Sequence, residues 1–181
     1  LLITDEIYDE FVFPPVKHAS PASSSEDVLV IRGYGKTYGC TGWRMGYAAG
    51  PTRLIDEMAK LQQQTFVCAP SVMQHAMLGA YDIVLEPLIH TFCTRRDMVT
   101  EILGDVMDLV VPEGAFYAFP KVPESLSMTG AQFFERALEH DVLLIQGDVF
   151  SKHDTHVRLS FATANDKLER GLLAIRNIIQ S

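Results

Sequence analysis

The segment that most restricts the fold is an apolar run that leads into a glycine-rich stretch containing a lysine. Residues 28–31 are all apolar, and positions 32–47 then read RGYGKTYGCTGWRMGY. The triplet around Lys36 matches the end of a phosphate-binding P-loop, but that motif needs a glycine five positions before Gly35, where Val30 stands. We therefore predict a buried strand that ends in a glycine-rich turn carrying Lys36, and not a nucleotide-binding loop.

Composition and charge exclude several classes of protein. The chain is 48% hydrophobic and 21% charged, which is typical of a globular protein with a core, and its formal net charge is −8. An acidic chain without a basic run is a poor candidate for binding nucleic acid or a membrane surface, and no apolar run approaches 18 residues. The three cysteines are widely spaced, which predicts reduced thiols in a cytoplasmic protein and no metal site.

Hydrophobic periodicity and the positions of glycine and proline predict the secondary structure. In the first half we predict strands at 1–4 (a buried strand), 28–32 and 46–49, and helices at about 51–64, from 70 or 71, and at about 87–107. In the second half we predict a hairpin of 109–111 with 115–119, a helix at 129–140, strands at 142–145 and 157–161, and a terminal helix from 165 whose buried stripe is Leu168, Leu172, Ile175 and Ile179. This order predicts the end of an α/β domain followed by a small α+β domain.

The chain opens directly in an apolar strand pattern, without a methionine. A core strand needs neighbours on both sides, so we expect the chain to be the C-terminal piece of a longer protein. We predict a partial large domain at 1–88 and a small domain at 89–181, joined by the helix at about 87–107.

Several short motifs together resemble a known family. They are Asp5-x-x-Tyr8, Lys36, Arg44 within GWRMGY (42–47), PEGAFY (112–117), Gly147-x-x-Phe150 and VRLSFA (157–162). In this order they resemble the second half of fold-type-I pyridoxal-phosphate enzymes, with class I/II aminotransferases of the aspartate aminotransferase superfamily most similar. The resemblance runs over residues 1–181. It implies an α/β fold: the C-terminal part of the large domain, with a partial mixed or parallel sheet and helices, plus a small α+β C-terminal domain.

The resemblance also implies how the cofactor, pyridoxal 5′-phosphate, is bound. Lys36 would form the Schiff base and move the substrate's proton, and Asp5 would pair with the pyridine nitrogen. Tyr8 would hydrogen-bond the 3′ oxygen, and Arg44 would bind the phosphate. Taken singly, each of these residues has an ordinary structural explanation, such as a surface lysine in a turn or a half-buried tyrosine.

Arg158 would bind the substrate α-carboxylate through a bidentate contact. The structural alternative is a strand arginine paired with a nearby acid. Two departures from the family pattern stand out. Gly33 and Gly35 occupy positions where many relatives have serine, and Gln146 occupies a position where relatives often have proline.

The implied function is transfer of an amino group between an amino acid and a 2-oxo acid, by a cytoplasmic homodimer. We expect this chain alone to have little activity, because relatives place other cofactor contacts in their first half. Two alternatives remain open: a C–S lyase of the same fold, and an aminotransferase-like sensor domain of a transcription regulator.

Overall fold

The computed structural model describes residues 1–181. The chain divides into two compact units, Leu1–Leu85 and Glu86–Ser181. No helix combines the length and the apolar character needed to cross a lipid bilayer.

The first unit contains a three-stranded sheet in the order β1-β2-β3. Its strands are β1 (Leu2–Asp5), β2 (Val28–Gly33) and β3 (Gly46–Ala49), and all three were predicted. β1 and β2 are parallel, whereas β2 and β3 are antiparallel. Because β2 is the central strand, it positions the segment that follows it, which contains Lys36.

The prediction that the first strand is buried is wrong in this chain. Leu2 and Ile3 are 50% and 59% exposed, while Val28, Leu29 and Val30 of β2 are buried. The reason is position in the sheet: β1 is an edge strand that pairs only with β2. An apolar pattern predicts a strand that can pack against other elements. It does not determine whether such elements lie beside that strand.

Three helices complete the regular structure of the first unit. They are α1 (Tyr34–Thr37), α2 (Thr52–Thr65) and α3 (Ser71–Leu78). The predicted starts of the two longer helices are confirmed, since Pro51 and Pro70 occupy their N-cap positions. Proline suits the start of a helix because the first amides have no partner within the helix. The single turn α1 was not predicted.

The second unit packs three helices with a small antiparallel sheet. Its elements are α4 (Glu86–Leu103), β4 (Tyr117–Ala118), α5 (Gly130–Leu138), β5 (Ile145–Gln146), β6 (Val157–Ser160) and α6 (Asn165–Gln180). The strand order is β4-β6-β5, so β6 is central. The core contains fully buried side chains from all three helices and from the segment after β6: Val99, Leu103, Phe133, Leu172 and Phe161.

The predicted hairpin of 109–111 with 115–119 is wrong. Residues 109–111 form no strand, and β4 pairs with β6 through Tyr117–Ser160 and Ala118–Leu159. Proline and glycine between two apolar runs favour a local turn. Here, however, β4 pairs with the distant strand β6 and not with the preceding apolar run.

Three other element predictions need smaller corrections. Helix α4 ends at Leu103, next to Gly104, rather than near 107, because glycine is a poor helix former. The strand predicted at 142–145 is displaced: β5 covers only Ile145–Gln146, and residues 142–144 form no strand. In α6 the fourth buried residue is Ile178 and not Ile179. Residues three and four positions after Ile175 both lie near the buried face of the helix, so periodicity alone does not choose between them.

Candidate active site

Lys36 and Arg44 lie in one loop that leaves the sheet and returns to it. The loop begins after Gly33 at the end of β2 and closes at Gly46, the first residue of β3, and these two glycines pair across the strands. A Cβ atom on Gly46 would lie 2.8 Å from the carbonyl oxygen of Arg32, so only glycine fits this closure without a shift. The closed loop holds the lysine and the arginine in the same part of the molecule.

A cleft of about 320 Å³ opens within this loop. Its walls are formed by Ile7, Arg32, Gly33, Gly35, Lys36, Thr41, Arg44, Met45 and Gly46. The structure therefore brings two of the predicted site residues, Lys36 and Arg44, to a single cavity. Asp5 and Tyr8 do not line the cleft.

Gly33 and Gly35 are packed closely by their neighbours. A Cβ atom on Gly33 would collide with the Ile7 side chain, and one on Gly35 would lie 3.1 Å from the Cα atom of Thr41. A serine at either position would therefore require its neighbour to move. The cleft has this shape because both positions lack a side chain.

Arg44 has an unusual backbone conformation. Its φ and ψ angles are 55° and 41°, in the left-handed region that non-glycine residues rarely adopt. Its side chain is exposed, and Nη1 donates to the carbonyl oxygen of Thr41 at 3.3 Å. No carboxylate pairs with it. A guanidinium in a cleft without an acidic partner is suited to bind an anion.

Arg32, the other arginine of the cleft, is neutralised by two acids. Its Nε and Nη2 atoms donate to Oε2 of Glu6 at 3.1 and 2.8 Å, and Nη1 lies 3.1 Å from Oδ2 of Asp9. Glu6 is only 5% exposed and also accepts hydrogen bonds from Ser20, at 2.6 Å, and contacts Nε2 of His18 at 3.0 Å. Sequence reasoning missed this network, because its members lie up to 26 residues apart.

Two opposing effects set the pKa of Glu6. Burial alone would raise the pKa, but hydrogen bonds from Ser20, Arg32 and His18, with the positive charge of Arg32, lower it from 4.5 to about 2. Glu6 is therefore ionised in the folded protein over nearly the whole pH range.

This shift predicts a pH dependence of stability. Since the folded-state pKa lies below 4.5, ionised Glu6 stabilises the fold fully above about pH 4.5, and the contribution is lost as the pH falls towards 2. We expect a loss on the order of 2–3 kcal/mol in the free energy of unfolding. Urea unfolding of the wild type and Glu6→Gln between pH 2.5 and 6 measures it, and the gap between them should narrow as the pH falls.

Glu124→Gln is the matched control. Glu124 pairs with Lys121 on the surface, where an ion pair contributes little. A gap between wild type and Glu6→Gln that stays constant with pH would contradict the assignment.

Tyr34 anchors the start of the loop. Its ring lies 5.6 Å from that of Tyr47 on β3, and its hydroxyl is 2.8 Å from that of Tyr81. Burial, followed by the hydrogen bond to Tyr81, raises the pKa of Tyr34, so its hydroxyl stays protonated. These contacts brace the first turn of the loop, one residue before Gly35.

Asp5 and Tyr8 lie at the sheet edge from which the loop departs. Asp5 is the last residue of β1 and pairs with Ile31, which precedes Lys36 by five residues. Because β1 and β2 are parallel, their carboxyl ends meet at this edge, where ligands of open α/β sheets bind. Asp5 accepts a hydrogen bond at Oδ1 from the amide of Ile7, at 3.1 Å, and Tyr8 is half-buried in the following turn.

Arg158 lies in the second unit, on the central strand β6. Its guanidinium carbon is 4.5 Å from the ring centre of Tyr117 and 4.4 Å from that of Phe150, and the side chain is half-buried. No acid pairs with it, contrary to the structural alternative. Aromatic faces hold a cation in place while leaving its N–H groups available to a carboxylate.

Comparison with known proteins decides the family. The sequence model described as "Aminotransferase class I and II" matches residues 1–175. The chain belongs to the class I and II aminotransferases. The prediction of this family from the motifs is confirmed, and the family implies pyridoxal phosphate as the cofactor.

Individual members of the family are similar along nearly the whole chain. The aspartate aminotransferase of Pyrococcus abyssi is 32% identical over 191 residues, covering 99% of this chain and 49% of that protein. The aspartate aminotransferase of Thermotoga maritima is 35% identical over 185 residues, covering 99% of this chain and 48% of that protein. The chain thus spans about half the length of the curated relatives it matches.

Solved structures confirm the predicted fold class. The aromatic aminotransferase of Pyrococcus horikoshii superimposes with a TM-score of 0.92 at 30% identity, covering 98% of this chain and 50% of that one. The Thermotoga maritima aspartate aminotransferase superimposes with a TM-score of 0.90 at 34% identity, covering 99% and 48%. The α/β architecture of this chain is that of an aminotransferase.

Proposed function

We propose that the protein carrying this chain is a pyridoxal-phosphate-dependent aminotransferase that moves an amino group between an amino acid and a 2-oxo acid. The observation that carries the proposal is the shared cleft of Lys36 and Arg44. Lys36 supplies a primary amine for an aldehyde, and Arg44, which pairs with no carboxylate, supplies a guanidinium for a phosphate. Arg32 does not compete, since Glu6 and Asp9 neutralise it.

The chemistry of these groups fits the cofactor. Arg44 would hold the phosphate through the planar fork of its guanidinium, and Lys36 would hold the aldehyde carbon. Asp5, at the carboxyl end of β1, would pair with the protonated ring nitrogen, and Tyr8 would donate its hydroxyl to the ring oxygen. When bound, the cofactor supplies an electron sink that stabilises negative charge at the substrate α-carbon.

The protein's own part in catalysis is binding, orientation and proton transfer. The Nζ atom of Lys36 would accept the α-proton of the substrate and return it as general acid. Arg158 would bind the α-carboxylate, with its orientation maintained by Tyr117 and Phe150. A carboxylate fixed at both oxygens restricts rotation of the substrate, and this brings the α-hydrogen into a reactive orientation.

Assembly, domain division and location belong to the same proposal. Many large apolar side chains of the first unit are exposed, which supports a homodimer or larger assembly that covers them: Leu1, Leu2, Ile3, Leu61, Phe66, Val67, Val72, Leu78, Tyr81, Ile83 and Val84. The three cysteines are free thiols, which supports a cytoplasmic protein. We retain residues 1–88 as the cofactor-binding part and 89–181 as the small domain.

Borohydride trapping tests the proposal directly. The protein is incubated with pyridoxal phosphate, reduced and digested, and the peptides are mapped by mass spectrometry. We expect the cofactor on Lys36, because it is the lysine that lines the cleft together with Arg44. A label on another lysine, or no label, would contradict the proposal.

Product analysis of the same protein separates the two alternative functions. Transfer that depends on a 2-oxo acid supports the aminotransferase. Release of ammonia and pyruvate indicates a C–S lyase. Trapping without turnover of any amino acid indicates a sensor domain.

A further inference from the structure

Glu6 is a buried, ionised side chain that the proposed chemistry does not use. Its carboxylate receives hydrogen-bonding groups from two different segments: Arg32 on β2, and His18 and Ser20 in the loop before it. Its backbone amide also donates to the carbonyl oxygen of Ile31 at 2.8 Å, which extends the β1–β2 pairing by one residue. Glu6 therefore ties the end of β1 to the residue at which β2 reaches the cleft.

The Arg32 fork is occupied at three positions. Nε and Nη2 donate to Glu6, and Nη1 pairs with Asp9. Glu6 contributes most to raising the pKa of Arg32, and Tyr47 on β3 adds a smaller contribution. Although Arg32 lines the cleft, each of its three guanidinium nitrogens contacts a carboxylate, and its charge is balanced by Glu6 and Asp9.

Arg44, in contrast, pairs with no carboxylate. It lines the same cleft, and its one hydrogen bond goes to a neutral carbonyl oxygen. Two guanidinium groups in one cavity would compete for a single anion, because each presents the same fork to phosphate oxygens. In the structure this competition is reduced, because Arg32 pairs with two carboxylates and Arg44 pairs with none.

We infer that Glu6 is a positioning residue of the cleft: it holds Arg32 against the wall and cancels its charge, so that Arg44 alone receives the anionic group of the ligand. This inference rests on the proposed function, in which a phosphate-bearing cofactor occupies the cleft. A phosphate drawn towards Arg32 would carry the aldehyde away from Lys36. Glu6 thereby selects where the anion binds, without contacting it.

The test compares anion affinity with the capture of the cofactor by Lys36. Inorganic phosphate is titrated into the cofactor-free protein by calorimetry, for the wild type and Glu6→Gln. We expect phosphate to bind the variant roughly fivefold more tightly, since Arg32 has lost one of its two acids. Formation of the visible lysine–cofactor band on mixing with pyridoxal phosphate should slow by at least about tenfold, because the phosphate is misplaced.

Tighter phosphate binding with slower capture distinguishes positioning from a purely structural role. If Glu6 only stabilised the local structure, its removal would weaken phosphate binding and also slow cofactor capture by Lys36. The double variant Glu6→Gln/Arg32→Gln removes the released charge and should return phosphate affinity to within about twofold of the wild-type value. Asp9→Asn, which removes the other acid of Arg32, should tighten phosphate binding in the same direction and carries the test if Glu6→Gln does not fold.

Asp105→Asn is the matched control. Asp105 forms a two-pronged ion pair with Arg176 in the second unit, so its loss breaks a similar contact elsewhere. Phosphate affinity should not change in this variant. Unchanged or weaker phosphate binding in both Glu6→Gln and Asp9→Asn would overturn the inference. If the wild type binds no phosphate and captures no cofactor, the proposed function itself is wrong. The experiment therefore distinguishes failure of the Glu6 inference from failure of the proposed function.

Discussion

Lys36→Ala is expected to abolish the visible absorbance band that the protein forms with pyridoxal phosphate and to reduce amino-group transfer by at least about 10⁴-fold. The effect is large because one side chain supplies both the covalent attachment and the proton transfer. Absorbance spectra and single-turnover kinetics of the wild type and the variant measure it. Phosphate binding should persist in the variant, since Arg44 and its loop remain.

Lys60→Ala is the control for this experiment. Lys60 lies on α2, is largely exposed and pairs with Glu57. Its loss removes a lysine without touching the cleft, and the spectrum should be that of the wild type. A normal visible band in Lys36→Ala would exclude Lys36 as the attachment point.

Arg158→Ala is expected to raise the KM for the amino acid while the cofactor spectrum remains unchanged. Loss of a charge-assisted contact to a bound carboxylate costs roughly 2–5 kcal/mol. Arg158→Lys should recover only part of the affinity, because an ammonium group lacks the two parallel donors of the guanidinium. Steady-state kinetics over a range of amino-acid concentrations, with the cofactor saturating, give the KM.

Arg170→Ala serves as the comparison for Arg158→Ala. Arg170 is exposed on α6 and lies 3.5 Å from Asp166, a surface pair that contributes little. The variant should have wild-type KM and kcat. Equal kinetics in Arg158→Ala and the wild type would remove Arg158 from the substrate site.

Local patterns were sufficient for most of the regular structure. The strands at 28–33 and 46–49 and the helices at 52–65, 71–78 and 165–180 follow from apolar periodicity and from the positions of proline and glycine. Each of these signals depends on neighbours within a few residues. The family could also be predicted from short motifs, because their order along the chain is specific even where each motif alone is weak.

Local patterns failed where the partner was distant. The apolar runs around Gly114 predicted a hairpin, but Tyr117 pairs with Ser160 on β6. The apolar composition of β1 predicted burial, but its position at the sheet edge leaves it exposed. Neither outcome can be read from nearby residues, since both depend on which strand lies alongside.

The sequence by itself determined that the chain is an aminotransferase-type α/β protein and that Lys36 and Arg44 occupy one loop between two strands. Only the tertiary structure decided which arginine of that loop's cleft is available. Arg32 and Arg44 have the same chemistry, and no local pattern separates them. The difference arises because folding brings Glu6 and Asp9 against Arg32, and a buried carboxylate cancels the nearest positive charge in the low dielectric of the protein interior.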